Sequence, residues 1–144
     1  MRRILTIASS LLLAFAVAAP VASAYEGQYI TDLKVTSVQV FKTGDVLIKG
    51  SLYCQNMDNF DLNINGQLVQ SIGRKTGVRG GIWGGTNCNP NGPTYWEAWS
   101  FADWGAFGPG WMTVQINFEN GGCDENGCWG QTFGGGSFYV KATK

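Results

Sequence analysis

Leu62-Asn63-Ile64-Asn65-Gly66-Gln67-Leu68-Val69-Gln70-Ser71-Ile72 can be read in two ways, and the choice sets the number of strands in the chain. Asn-Gly is the strongest short hairpin signal, because both residues accept the positive φ of a type I′ turn. A two-residue hairpin there would pair Ile64 with Gln67 and Leu62 with Val69. It would also throw Leu68 and Ile72 onto the opposite face. Leu62, Ile64, Gly66, Leu68, Gln70 and Ile72 instead alternate without interruption, which is the period-two signature of one strand. The alternation favours one long strand with a glycine kink, and moves the turn to residues 73–77. The Asn65-Gly66 hairpin is the alternative.

The same period runs outward in both directions. On the N-terminal side a strand is expected near Leu33 to Phe41, then a Thr43-Gly44-Asp45 turn. The next strand places Val46, Ile48, Gly50, Leu52 and Cys54 on one face. On the C-terminal side Val78, Gly80, Ile82, Gly84, Thr86 and Cys88 share a phase, with Arg79 and Trp83 opposite. Residues 89–93 form a turn by composition. A fifth strand covers Thr94 to Ala102. The sixth has Met112, Val114, Ile116 and Phe118 inward. The last spans roughly Trp129 to Ala142 and is interrupted at Gly134–Gly136. Nothing beyond the first 24 residues keeps a helical period. Seven short strands with turns between them predict an all-β, seven-stranded immunoglobulin-like β-sandwich in a single domain, residues 25–144.

Met1-Arg2-Arg3, an apolar run from Ile4 to Ala19, Pro20 and Ala22-Ser23-Ala24 form the three parts of a secretory signal peptide. Cleavage is expected after residue 24, giving a secreted, extracellular protein with no membrane span or anchor. Four cysteines, Cys54, Cys88, Cys123 and Cys128, follow that segment, and the chain has no histidine. An even cysteine count in an exported domain reads as a disulfide framework. Cys54 and Cys88 both point inward by phase, and Cys123 and Cys128 close a tight loop. Cys54–Cys88 and Cys123–Cys128 are therefore the favoured pairs of the three connectivities. A zinc site is the alternative, but the ligand spacing fits it poorly.

Ten Lys and Arg balance ten Asp and Glu, and no basic patch is visible, which argues against nucleic acid as a partner. Without histidine there is no Ser-His-Asp or Cys-His arrangement. Glu97 and Asp103 could be imagined as a glycosidase pair, but no motif surrounds them. Asp58, Asp61, Asp124 and Glu125 do not match a spaced calcium loop. No enzyme activity, cofactor or metal is expected.

The run from Gly44 to Cys54, Cys88 before an Asn-Pro turn, Trp96, Phe107-Gly108-Pro109-Gly110 and the Cys123–Cys128 loop together resemble small secreted immunoglobulin-like domains of actinobacteria. That group is largely without assigned function, so the resemblance implies a fold. The late cysteine loop is also similar to one in neocarzinostatin-type apo-chromoproteins, whose other cysteine pair spans a shorter loop than Cys54 to Cys88.

Aromatic residues carry the functional signal. All six tryptophans, Trp83, Trp96, Trp99, Trp104, Trp111 and Trp129, fall late in the chain. Trp96 belongs to the core by phase. Trp83, Tyr95, Trp99 and Phe101 take the outward phase and would form one exposed stripe if the fourth and fifth strands are neighbours. Trp104, in a loop, and Trp111 complete the candidate binding residues. Exposed flat rings suit sugar C–H faces and other apolar partners. The expected function is therefore non-enzymatic binding of an extracellular surface, glycan or protein. The alternatives are rings closed over by loops as a second small core, and a protein-interaction or protease-inhibitor module using the Cys123–Cys128 loop or the 89–93 turn as a rigid ligand.

Overall fold

The computed structural model describes residues 27–57, 60–72, 76–125 and 127–144. The expected signal peptide, Asp58, most of the 73–77 turn, and the side chains of Cys123, Asp124, Cys128 and Trp129 lie outside the described residues.

The described chain is all β: β1 (Tyr29–Val40), β2 (Val46–Gln55), β3 (Asp61–Ile72), β4 (Thr76–Asn87), β5 (Thr94–Ser100), β6 (Gly110–Asp124) and β7 (Gly127–Ala142). The strands form one antiparallel sheet in the order β1-β2-β5-β4-β3-β6-β7. Its two ends meet at a parallel bridge between Gln39 and Thr143. Val40 N–H donates to the Thr143 carbonyl at 2.8 Å, and Thr143 N–H donates to the Val38 carbonyl at 3.0 Å. The sheet is thereby nearly closed, which protects both edges from pairing with another chain. Two separately bonded sheets were expected; a short ladder, Ile82–Gly85 against Ala98, Ser100 and their neighbours, joins β4 to β5 and makes them one.

Asn65 and Gly66 sit in mid-strand. Gly66 is opposite Ile82 of β4 on one side and Ile116 of β6 on the other. A Cβ at Gly66 would overlap the Gln115 carbonyl, so this glycine serves the close approach of β6 rather than a turn. Leu62, Ile64 and Leu68 are buried, while Asn63 and Gln67 are exposed. Two expectations need correction. β1 begins at Tyr29, ahead of Leu33, and β7 is not broken at Gly134–Gly136. Those glycines make room for neighbours: Cβ atoms there would crowd Ile30, Asn117 and Phe138 respectively. The irregularity lies one residue earlier, where the register shifts between Phe118 and Glu119 so that Gly134 and Thr132 are their partners.

Inside the curved sheet the apolar rows meet. Trp96 is buried and packs edge-on against Phe118 with ring centroids 5.5 Å apart. Gly50 on β2 opens the space that Trp96 fills, for a Cβ there would overlap the indole and the Lys34 carbonyl. Cys54, near the end of β2, is bonded to Cys88, just past β4, with Cα atoms 5.8 Å apart.

Candidate functional site

The outer surface of β4 and β5 carries the aromatic residues. In a strand, alternate side chains point to opposite faces. Ile82 and Ala98 therefore face the core, while Trp83 and Trp99 face out and stand directly opposite each other across the β4–β5 ladder. Trp83 is 53 % exposed and Trp99 39 %. Phe101 follows the end of β5 and stacks on Trp83 with centroids 5.0 Å apart and planes 22° from parallel. On the far side Phe41 stacks on Trp99 at 5.4 Å and 29°. Two stacked pairs, Phe41–Trp99 and Trp83–Phe101, thus stand side by side across the ladder in the order Phe41, Trp99, Trp83, Phe101.

Glycine shapes this surface. The outward neighbours of Trp83 on β4 are Gly81 and Gly85. A Cβ at Gly81 would lie 3.1 Å from Trp83 Nε1, so the indole lies back along the strand over bare backbone. On the inward phase, Cβ atoms at Gly80 and Gly84 would overlap backbone carbonyls of Phe101 and Glu97, so these glycines let β4 and β5 approach closely. The result is an open apolar depression of about 470 Å³ lined by Trp83, Gly84, Trp99 and Phe101.

The other expected site residues are distributed differently. Tyr95 is exposed on the same face of β5, with Glu97 between it and Trp99, so it stands apart from the ring cluster. Glu97 forms an exposed ion pair with Lys49 across the β2–β5 ladder. Asp103 lies beyond Phe101, its N–H bonded to the Arg79 carbonyl at 2.8 Å. Trp104 is 87 % exposed in the loop between β5 and β6. Trp111 belongs to a second, separate platform. It stacks on Tyr139 of β7 at 4.9 Å and 12°, beside a groove of about 590 Å³ that Val69, Gln70 and Pro109 also line. Buried Gln70 fixes that groove by bonding Gly108 twice, donating to its carbonyl at 2.6 Å and accepting from its N–H at 2.9 Å.

Sequence reasoning missed Phe41 and Tyr139. Tyr139 has the outward phase of β7 and Phe41 directly follows β1, but their stacking partners come from other parts of the chain. Among the described residues no three His, Cys, Asp or Glu side chains gather to hold a metal ion. Comparison with known proteins returned no matching family model, and no significant match among curated proteins or solved structures.

Proposed function

We propose that this chain is a secreted, non-enzymatic immunoglobulin-like domain that binds an extracellular polysaccharide through the aromatic surface of β4 and β5. The observation that carries the reading is the open depression between Trp83, Trp99 and Phe101, all well exposed and borne on paired strands or directly after one. A rigid ring surface loses little entropy on binding and matches the apolar face of a sugar ring.

Several features support the rest of the reading. The neighbours β1-β2-β5 and β3-β6-β7 are also neighbours in a constant-type immunoglobulin domain, which supports that reading, while β4 pairs along its length with β3 and only briefly with β5. Secretion is supported by the N-terminal sequence pattern and by the Cys54–Cys88 bond. A second bond, Cys123–Cys128, is supported by the backbone register, which sets the two positions directly opposite in the β6–β7 hairpin. Opposed antiparallel residues have Cα atoms about 4.5–5.5 Å apart, within disulfide reach.

The test is acrylamide quenching of tryptophan fluorescence on the oxidised protein lacking residues 1–24, with and without cellulose, chitin, xylan and other insoluble polysaccharides. Open tryptophans that one polysaccharide protects, with protection and binding lost in Trp83→Ala and Trp99→Ala, are the expected result. Binding that survives both substitutions in folded protein would remove the aromatic surface as the site.

A second reading, a loop-presenting inhibitor, draws support from the 89–93 turn. Asn89 Oδ1 accepts from Asn91 N–H at 3.1 Å, and Asn89 N–H donates to Thr94 Oγ1 at 2.8 Å, next to the Cys88 anchor. A panel of secreted proteases tests it, and no inhibition across the main classes would end it.

A further inference from the structure

The polar half of the binding surface is not near the rings in sequence but beside them in register. Trp83 is paired with Asn65 of β3, and Asn65 with Asn117 of β6. One outward row along, Gly81 faces Gln67, and Gln67 faces Gln115. The Trp83 indole lies over Gly81, so Asn65 and Gln67 run alongside it on the next strand. Beyond β6 come Gly135 and Ser137 on β7, opposite Asn117 and Gln115. The two rows therefore hold an indole, four amides and three small residues, Gly81, Gly135 and Ser137, with no charge among them. Charged side chains stand one row beyond at either end: Glu119 opposite Asn63, and Arg79 opposite Val69. Gln67, Gln115 and Asn117 are exposed and Asn65 half-buried. The glycine at 135 leaves Asn117 the space a Cβ would take. Three interstrand steps of about 4.8 Å make the strip ~14 Å across the strands.

We infer that this strip holds an uncharged polysaccharide chain lying across β4, β3 and β6, with one sugar ring on Trp83 and the neighbouring hydroxyls bonded by Asn65, Gln67, Gln115 and Asn117. Each primary amide both donates and accepts, as a hydroxyl does. Four adjacent amides thus match a polyhydroxylated chain and offer no ionic complement to a charged one. The chain runs across the strands because the amides are displaced from Trp83 in that direction. This inference rests on the proposed glycan-binding role of the aromatic surface.

The test uses the polysaccharide that protects tryptophan in the quenching experiment, in depletion isotherms with the oxidised protein. The variants are Trp83→Ala, the double variants Asn65→Ala/Gln67→Ala and Gln115→Ala/Asn117→Ala, and Trp111→Ala on the separate platform. Losing two hydroxyl bonds weakens binding about tenfold for each amide pair. Trp111→Ala leaves a short oligosaccharide of the same sugar bound as before. Binding changes little with salt, since no ion pairs form. Thermal melts check that the surface variants fold. If Trp83→Ala abolishes binding while both amide pairs bind as the parent does, the aromatic reading stands and the amide strip is overturned. Preference for alginate or pectin over neutral chains, with strong salt dependence, overturns the uncharged occupant. Failure of the parent to bind any polysaccharide overturns the proposed function and this inference with it.

Discussion

Gly50 and Trp96 show how one backbone position sets the depth of the core. Trp96 reaches under β2 only because Gly50 has no side chain there. A Cβ would press on both the indole and the Lys34 carbonyl, and backbone on that side cannot yield cheaply. Gly50→Ala is expected to destabilise by at least ~1–3 kcal/mol, the usual cost of overpacking. Trp96→Ala is expected to cost ~3–5 kcal/mol by leaving a cavity. Trp96 Nε1 is buried with no hydrogen-bond partner among the described residues, so Trp96→Phe removes an unsatisfied donor and costs less than the alanine change. Urea melts of the three variants give the ranking, and a silent Gly50→Ala would show that β1 and β2 shift to accept the methyl. At this scale the sequence was informative about direction. The phase of Trp83 against Ile82, and of Trp96 against Trp99, tells which ring is wet. It carried no information on which rings touch, because the Phe41–Trp99 and Trp111–Tyr139 stacks depend on strand order.

Among the elements, β3 decides the topology, and its reading turned on a competition between two local signals. Asn65-Gly66 offers a turn, while the apolar alternation offers a strand. The strand wins because both neighbours use it: β4 and β6 bond β3 along the stretch that contains Gly66. Gly66→Ala therefore should not be a mild change. Its methyl would meet the Gln115 carbonyl, prying β6 from β3 in the middle of the polar strip. The expected outcome is a loss of ~1–3 kcal/mol in urea unfolding, together with weakened polysaccharide binding. A fully stable Gly66→Ala would mean that β3 and β6 are not held that closely. The same logic explains the misreading of β7. A run of three glycines looks like a break from sequence alone. Gly134 and Gly135 instead face Ile30 of β1 and Asn117 of β6, which become visible only when those strands are in place, and at Gly136 the space goes to the Phe138 ring two residues along the same strand. Strand phase was legible because it is local; the use of glycine for close approach was not, because the approaching backbone is distant in sequence.

For the whole molecule, the weakest lines of the sheet fall at two seams. One is the parallel bridge at Gln39 and Thr143, and the other is the short β4–β5 ladder. On one side of the β4–β5 seam lie β1, β2 and β5; on the other lie β4, β3, β6 and β7. The Cys54–Cys88 bond crosses it, running from β2 to the end of β4. The Trp83–Trp99 pair crosses it too, so the aromatic surface and the disulfide depend on the same junction. With 34 residues of separation, the bond contributes ~3–4 kcal/mol in the loop-entropy account. Replacing both Cys54 and Cys88 by serine should cost about that much, and should raise the access of acrylamide to Trp83 and Trp99 at temperatures well below the melt. A bond between Cys123 and Cys128 closes a short loop between β6 and β7, which take no part in the β4–β5 ladder, so serine at both should cost only ~2 kcal/mol and leave the quenching of Trp83 and Trp99 unchanged. Chemical denaturation with fluorescence detection reads both quantities on the same samples. If the Cys54/Cys88 variant loses stability but leaves acrylamide access to Trp83 and Trp99 unchanged, the β4–β5 ladder holds the aromatic surface unaided. If it also loosens the rings, the disulfide is what keeps the two halves of the site in register.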